Sequence, residues 1–278
     1  MDKKPINKRL TGCSAIVLGG IKGIGRAIAV DLLNQGCSVA VTYFDWLEEL
    51  DNLKESLEKT AGKYSIHNIN LRETEKIPQF INEVTASHKK IDILINNIER
   101  GGMPVVHGKY NSRQWDLEQE TTLRAKHFIF ESIYPQIKQS KNGCIINFSS
   151  IASITGRTGP AGLIFNDGYC AASRAVSLFT ETWARLMSPN VRVNEIMLGF
   201  METRHASKTR GWGLLSKQQQ DAIINHTLCK REGKISDIIK AVNFLIHDAP
   251  YMTGATLRLD GGYVLGCEEI PPMPEGVE

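Results

Sequence analysis

The chain has 278 residues, 42% of them hydrophobic and 23% charged, which is enough apolar material to bury a core without disulfides or metals and excludes intrinsic disorder. Its 33 Lys and Arg against 30 Asp and Glu leave a net charge of +3 with no long block of one sign, so no nucleic-acid partner is expected and a small molecule is. The six cysteines (Cys13, Cys37, Cys144, Cys170, Cys229, Cys267) are scattered without metal-ligand spacing and read as reduced thiols, and no stretch is long and apolar enough for a secretory segment or a membrane span, so a cytoplasmic protein without a metal site is expected.

The first apolar run, 13–19, reads as a strand. It leads directly into Gly19-Gly20-Ile21-Lys22-Gly23-Ile24-Gly25 and then into helical apolar spacing at Ile24, Ile28, Leu32 and Leu33. A glycine turn between strand and helix lets backbone N–H groups and the positive helix end approach a pyrophosphate where a Cβ would block it, so this setting predicts dinucleotide binding. Further strands are predicted at 38–43, 64–69, 91–97, 143–149, 191–197 and 255–259, with helical spacing between them that includes long helices at 112–138 and 168–188. Nearly continuous apolar strands alternating with helices predict one doubly wound α/β domain over residues 1–266, a Rossmann fold on a mostly seven-stranded parallel sheet, with its ligand crevice beyond the strands' carboxyl ends. The segment 204–234, with Trp212 and the polar run from Ser216 to Asp221, breaks the alternation and is expected to cover the substrate as a flap. Residues 267–278, with Pro271, Pro272 and Pro274, are expected to form an extended tail.

Several separated motifs resemble the short-chain dehydrogenase/reductase family. Its Thr-Gly-x-x-x-Gly-x-Gly turn is met by Leu18 through Gly25 with only the threonine changed, and its Asn-Asn-Ala-Gly is half met by Asn96-Asn97-Ile98-Glu99. Its strand-five serine matches Ser150, its Arg-Val-Asn matches Arg192-Val193-Asn194, and its Pro-Gly-x-x-x-Thr is met by Leu198-Gly199-Phe200-Met201-Glu202-Thr203 with the proline lost. Tyr251-Met252-Thr253-Gly254 and Leu259-Asp260-Gly261-Gly262 look like its closing strand, so the resemblance spans about Gly12 to Gly262. It implies reduction of a ketone or oxidation of a secondary alcohol, in a layout similar to 3-oxoacyl-thioester reductases. The cofactor contacts it implies are Gly19, Ile21, Lys22, Gly23, Ile24, Gly25, Tyr43, Asn70, Leu71, Asn97, Gly199, Met201 and Thr203.

The resemblance also implies a serine that polarises the substrate oxygen, a tyrosine that donates the proton, a lysine four residues after the tyrosine and an asparagine that holds water. Ser150, Tyr169 and Arg174 are the catalytic candidates. Position i+4 from Tyr169 is Ser173, and Arg174 at i+5 lies ~140° around the helix from Tyr169. Two alignments therefore stand: the tyrosine in place with the lysine lost, or Arg174 in the lysine slot with Tyr169 displaced by one, which a bulge or a late helix start would reconcile. Aligning Trp115-Asp116 puts Thr122 in the asparagine position and Ala125 in a glycine position. Ser150 and Tyr169 are 19 residues apart, longer than the family habit, so 156–167 reads as an enlarged active-site loop under which Tyr169 could also simply pack. Glu99 and Arg100 fit a polar substrate or a solvated charge pair equally well.

Where NAD enzymes place an acid after the second strand this chain has Tyr43; Asp45 follows two residues later and Lys22 precedes Gly23, so NADP is expected as the cofactor and NAD less so. A homo-oligomer, tetramer or dimer, is expected from the resemblance and from Phe128, Phe130, Trp183 and Leu186 on the long helices. The lost lysine and asparagine keep open a second reading, a dinucleotide-binding regulatory or assembly protein impaired in hydride transfer; Ser150, Tyr169 and Thr203 oppose it.

Overall fold

Each apolar run becomes a strand in the computed structural model, which describes residues 8–99, 110–202, 212–268 and 270–273. In chain order the elements are β1 (Ser14–Leu18), α1 (Gly23–Asn34), β2 (Ser38–Tyr43), α2 (Leu50–Glu58), β3 (Tyr64–Asn68), α3 (Ile77–His88) and β4 (Ile93–Asn96). There follow α4 (Ser112–Glu118), α5 (Ala125–Ile137), β5 (Gly143–Ser150), α6 (Ala152–Thr155), α7 (Asp167–Met187), β6 (Val191–Leu198), α8 (Lys217–His226), α9 (Ile235–Asn243) and β7 (Thr256–Leu259). All neighbouring strands are parallel in the order β3-β2-β1-β4-β5-β6-β7. The chain changes direction across the sheet between β1 and β4, and that switch point opens a crevice at their carboxyl ends.

Alternate strand residues feed two cores. Ala15 and Val17 of β1 face Ile28 and Leu32 of α1, Leu53 of α2 and Val242 of α9, whereas Ile16 and Leu18 face Phe80 of α3, Phe130 of α5 and Trp183 of α7. Phe130 and Trp183 stack with ring centroids 4.2 Å apart inside the second core. Each such side chain contributes about 1.5–3 kcal/mol by leaving water. This pair was expected to help form a contact between copies, and the structure corrects that: both rings are spent on the chain's own core.

The long helix predicted over 112–138 is interrupted. Asn111 starts α4 with a capping box to Gln114, but residues Gln119–Arg124 wind as a π turn before α5 resumes the α geometry. Such turns insert a residue into the helical ladder and re-aim the side chains around it, and they recur at functional sites. A third, smaller core holds Trp212, Leu215 and Ile223 against Ile151, Ala161, Met197 and Tyr263. The described part of the expected flap, from Trp212 onward, is thus packed down on the sheet's carboxyl end; residues 204–211 of that region lie outside the described residues. In the tail, 267–268 and 270–273 are exposed and without regular structure.

At the opposite, amino end of the strands a buried imidazole closes the sheet. His88 Nδ1 pairs with Ser38 Oγ at 2.7 Å and Nε2 with Ser65 Oγ at 2.8 Å, while Ser65 also meets His67 Nε2 at 2.8 Å. Burial, and then the neighbouring Lys63 and His67 charges, push His88 down to about 4. An unfolded chain with an ordinary imidazole takes up the proton first, so the contribution of neutral His88 is complete above pH ~6.5 and is lost as pH falls toward its folded value. Replacing His88 by Asn is expected to cost stability at pH 7 and to flatten the loss between about pH 6.5 and 4 by about 2–3 kcal/mol, read from urea unfolding across that range.

Candidate active site

The glycine turn after β1 is held by β2. Gly20 donates its N–H to the Thr42 carbonyl at 2.8 Å and Gly19 donates to Thr42 Oγ1 at 3.1 Å. A Cβ at Gly25 would collide with the Gly19 carbonyl, so α1 starts against the turn itself. Gly23 has φ +55° and nothing within 4 Å of where its Cβ would sit, so it needs glycine for its backbone and faces open space. Lys22 occupies the N-cap of α1 without a side-chain cap, and the first turn holds no acid. The first N–H groups and the positive helix end are therefore available to an anion.

That open space is a crevice of ≈ 340 Å³ lined by Gly19, Ile21, Lys22, Gly23, Ile24, Tyr43, Asn70, Leu71 and Asn97, which brings most of the expected cofactor residues together. Gly25 sits behind the lining, buried under the turn. Gly199 and Met201 are not on it: Gly199 packs where a Cβ would lie 2.7 Å from the Asp260 Cα, and Met201 is buried beside Gly233. Thr203 and Arg100 lie outside the described residues. At the far mouth Lys22 Nζ sits over the Trp46 ring, 2.8 Å from its centroid, and Arg72 and Asp45 line the same mouth. Arg72 pairs with Glu120 at 2.6 Å.

The chemistry-bearing hydroxyls stand at the sheet's carboxyl end. Ser150, the last residue of β5, is buried, and its Oγ accepts the Ala152 N–H at 3.2 Å. Asn166 caps α7: its Oδ1 accepts the Tyr169 N–H at 2.8 Å, and its Nδ2 donates to Glu118 Oε1 at 3.2 Å. Tyr169 in this first turn donates its hydroxyl to Glu99 Oε2 at 3.0 Å, and Glu99 and Asn97 both line the crevice. Beside Tyr169 runs an aromatic wall, with Phe165 6.2 Å from it, Phe200 5.9 Å from Phe165, and Trp212 and Tyr263 5.8 and 5.2 Å from Phe200.

A glycine turn under a parallel switch point, with a serine and a tyrosine at the same end of the sheet, agrees with comparisons to known proteins. The family model described as enoyl-(acyl carrier protein) reductase matches residues 19–264. This chain belongs to the short-chain dehydrogenase/reductase family. It is similar to the 3-oxoacyl-[acyl-carrier-protein] reductase of Thermotoga maritima, 28% identical over 261 residues that cover 92% of this chain and 100% of that protein. The corresponding reductase of Staphylococcus epidermidis is 29% identical over 253 residues, covering 90% of this chain and 98% of that protein. Among solved structures, a short-chain dehydrogenase/reductase from Serratia marcescens shares the fold with a TM-score of 0.77 at 22% identity, covering 92% of this chain and 99% of that one. The protein is therefore an oxidoreductase of a family that uses nicotinamide dinucleotides, and the glycine cradle, the uncapped helix end and the lined crevice fit such a group. Among the described residues no group of His, Cys, Asp and Glu is set to hold a metal, and no helix is long and apolar enough to cross a membrane.

Set against the family pattern, the departures lie on α7 and around the π turn. Arg174 does not join Ser150 and Tyr169. With α7 starting at Asp167, Ser173 is buried and Arg174 is exposed, so the alignment that puts Arg174 in the lysine slot is corrected: the helix has neither the late start nor the bulge that would turn it inward. Thr122, in the π turn, is buried, and neither its hydroxyl nor that of Ser173 has a hydrogen-bond partner among the described residues. Sequence reasoning missed Lys126. Fully buried on α5, it donates to the carbonyls of Asn96 at 3.0 Å and of Ile98. Burial lowers its ammonium to about 7, against the opposing pull of Glu99 and Glu195. The signal was present, since Lys126 falls in the stripe of Ala125, Ile129, Phe130 and Ile133 that α5 turns to the core. Glu195, also missed, sits mid-strand in β6 and accepts hydroxyls from Ser149, from Ser177 at 3.1 Å and from Thr256 at 2.6 Å.

Proposed function

We propose that the protein reduces a ketone, or oxidises the corresponding secondary alcohol, with NADP(H), on a substrate resembling a 3-oxoacyl thioester. The observation that carries this reading is the Tyr169 hydroxyl, bonded to Glu99 on the wall of the glycine-turn crevice, with Ser150 at the same, carboxyl end of the sheet. The nicotinamide, when bound, supplies or accepts the hydride. The amides at the start of α1 take the pyrophosphate. Because the Ser150 oxygen already accepts the Ala152 N–H, its own proton is left to polarise the substrate oxygen. Tyr169 then gives its proton to the oxygen that hydride transfer leaves charged. Phe165, Phe200 and Trp212 exclude water on that side and suit an acyl chain, in keeping with relatives named as 3-oxoacyl reductases. The alternative of a binding protein without hydride transfer is not favoured, because those relatives match this chain almost end to end.

NADP(H) is supported by the mouth of the crevice, where Lys22 and Arg72 stand near the end of β2 and Tyr43 replaces an acid. Two copies or more are supported by apolar side chains left on the outer faces of α5 and α7: Phe128, Leu178 and Leu186 are 38%, 62% and 46% exposed.

Tyr169→Phe is expected to lower kcat on a reducible ketone by about 10²–10⁴-fold while the cofactor Kd, from nucleotide fluorescence, stays within about twofold. NADPH is expected to bind more tightly than NADH, and Lys22→Ala to weaken NADPH alone by about 1–3 kcal/mol; equal wild-type affinities contradict this. Sedimentation at micromolar concentration is expected to give a species larger than the 30.9 kDa chain, and a monomer contradicts it.

A further inference from the structure

We infer that Glu99 and Lys126 form a proton relay behind Tyr169, with Lys126 as the buried donor and Glu99 as the carrier between it and the phenol. The inference rests on the hydride-transfer reading above and concerns what restores the tyrosine's proton.

A fully buried ammonium costs several kcal/mol unless its surroundings use it. Lys126 stands in a helix stripe where Ile129, Phe130 and Ile133 serve the core, so packing alone gives no reason for a lysine there. Its Nζ is held by the carbonyls of Asn96 and Ile98, the residues on either side of Asn97, at the point where β4 ends and the crevice begins. An ammonium has three N–H donors, and these two bonds leave one. Directly after Ile98 comes Glu99, whose carboxylate takes the Tyr169 hydroxyl at 3.0 Å. Lys126 is thus bonded to the carbonyl that precedes Glu99, and Glu99 to the phenol, with no direct ion pair between the ammonium and the carboxylate. The helix that carries Tyr169 offers no substitute: Ser173, one turn on, brings a neutral hydroxyl without a hydrogen-bond partner among the described residues.

In the direction of reduction the Tyr169 O–H bond breaks, its proton goes to the substrate oxygen and a phenolate remains. One N–H bond of Lys126 then breaks, the proton passes across a bridging water to the Glu99 carboxylate and on to the phenolate, and the Tyr169 O–H bond re-forms. Glu99 ends as it began. The amine left at Lys126 takes a proton from solvent, and oxidation of an alcohol runs the same steps backward. No electron acceptor or donor beyond the hydride is needed. An ammonium brought down to about 7 gives and regains a proton readily near neutral pH. Glu99 and Lys126 act through Tyr169 and are positioning residues.

The test reads Tyr169 itself in the cofactor-free protein, as the ultraviolet difference titration of phenol between each protein and its Tyr169→Phe counterpart. Glu99→Gln is expected to strengthen the Tyr169 acid about tenfold by removing a neighbouring negative charge, and Lys126→Met to weaken it by a similar factor. In turnover, wild-type kcat for reduction should decline as pH rises past the range where Lys126 holds its proton. Lys126→Met should lack that limb and, like Glu99→Gln, lose at least about tenfold in kcat, with cofactor Kd unchanged within about twofold. A Tyr169 titration unmoved by Glu99→Gln overturns the relay, as does a pH limb that survives in Lys126→Met. If Lys126→Met does not fold, Glu99→Gln decides alone, since its side chain lies at the crevice surface. If no carbonyl is reduced by the wild type, the hydride-transfer reading fails, and the phenol titration still accepts or rejects the coupling.

Discussion

The first turn of α7 governs the site, and one side chain sets it. Asn166 accepts the Tyr169 N–H and donates to the buried Glu118, so the helix is fixed both to its own backbone and to α4. With the start of the helix pinned at Asp167, rotation around 3.6 residues per turn leaves no freedom: Tyr169 reaches Glu99, Ser173 goes into the core and Arg174 goes to solvent. Gly168 in the same turn is buried where a Cβ would collide with the Tyr110 hydroxyl, and Gln119 donates to its carbonyl at 3.0 Å, which presses α7 close to α4 and the π turn. The long loop before the helix is tied down from the other side by Tyr263, whose oxygen accepts the Ala161 N–H at 2.9 Å. An insertion that lengthens the path from Ser150 to Tyr169 is therefore absorbed without releasing the tyrosine.

The face of the sheet under α5 and α7 is divided along its length. Near the amino ends it is apolar, built on Ile145, Val193, Phe130 and Trp183. Toward the carboxyl ends it turns polar: Asn96 donates to Asn147 at 3.2 Å, Asn147 to Thr180 at 2.9 Å, and Lys126 and Glu195 are buried beside them. Buried polar groups strengthen one another when satisfied and are costly when they are not, so such a patch fixes one arrangement of strands and helices. It also places titratable groups immediately below the crevice, in surroundings where their charges are weakly screened.

Much of this was legible in the sequence for definite reasons. Parallel strands buried on both faces are continuous apolar runs, and the glycine turn is required by close backbone approach, so strand positions, sheet type and crevice follow from residue type and order alone. Ser150 and Tyr169 could be singled out as candidates because each sits at a strand or helix end that a motif marks. Arg174 could not be placed, because its orientation depends on the helix start, which a cap at Asn166 decides. Lys126 and Glu195 were passed over for the opposite reason: each interrupts an apolar stripe, and such charges look like tolerated exceptions until the neighbouring carbonyls and hydroxyls are in view. Phe130 and Trp183 were assigned to a surface because periodicity gives a face without saying how deep the covering layer is.

The account stands or falls on hydride passing between a dinucleotide in the crevice and a carbonyl held at Ser150 and Tyr169. Mass spectrometry of the alcohol formed from a 3-oxoacyl thioester, with NADPH carrying deuterium at both positions of the nicotinamide C4, tests this directly. The account predicts one deuterium, carried on the former carbonyl carbon. Bound cofactor with no labelled alcohol would contradict it.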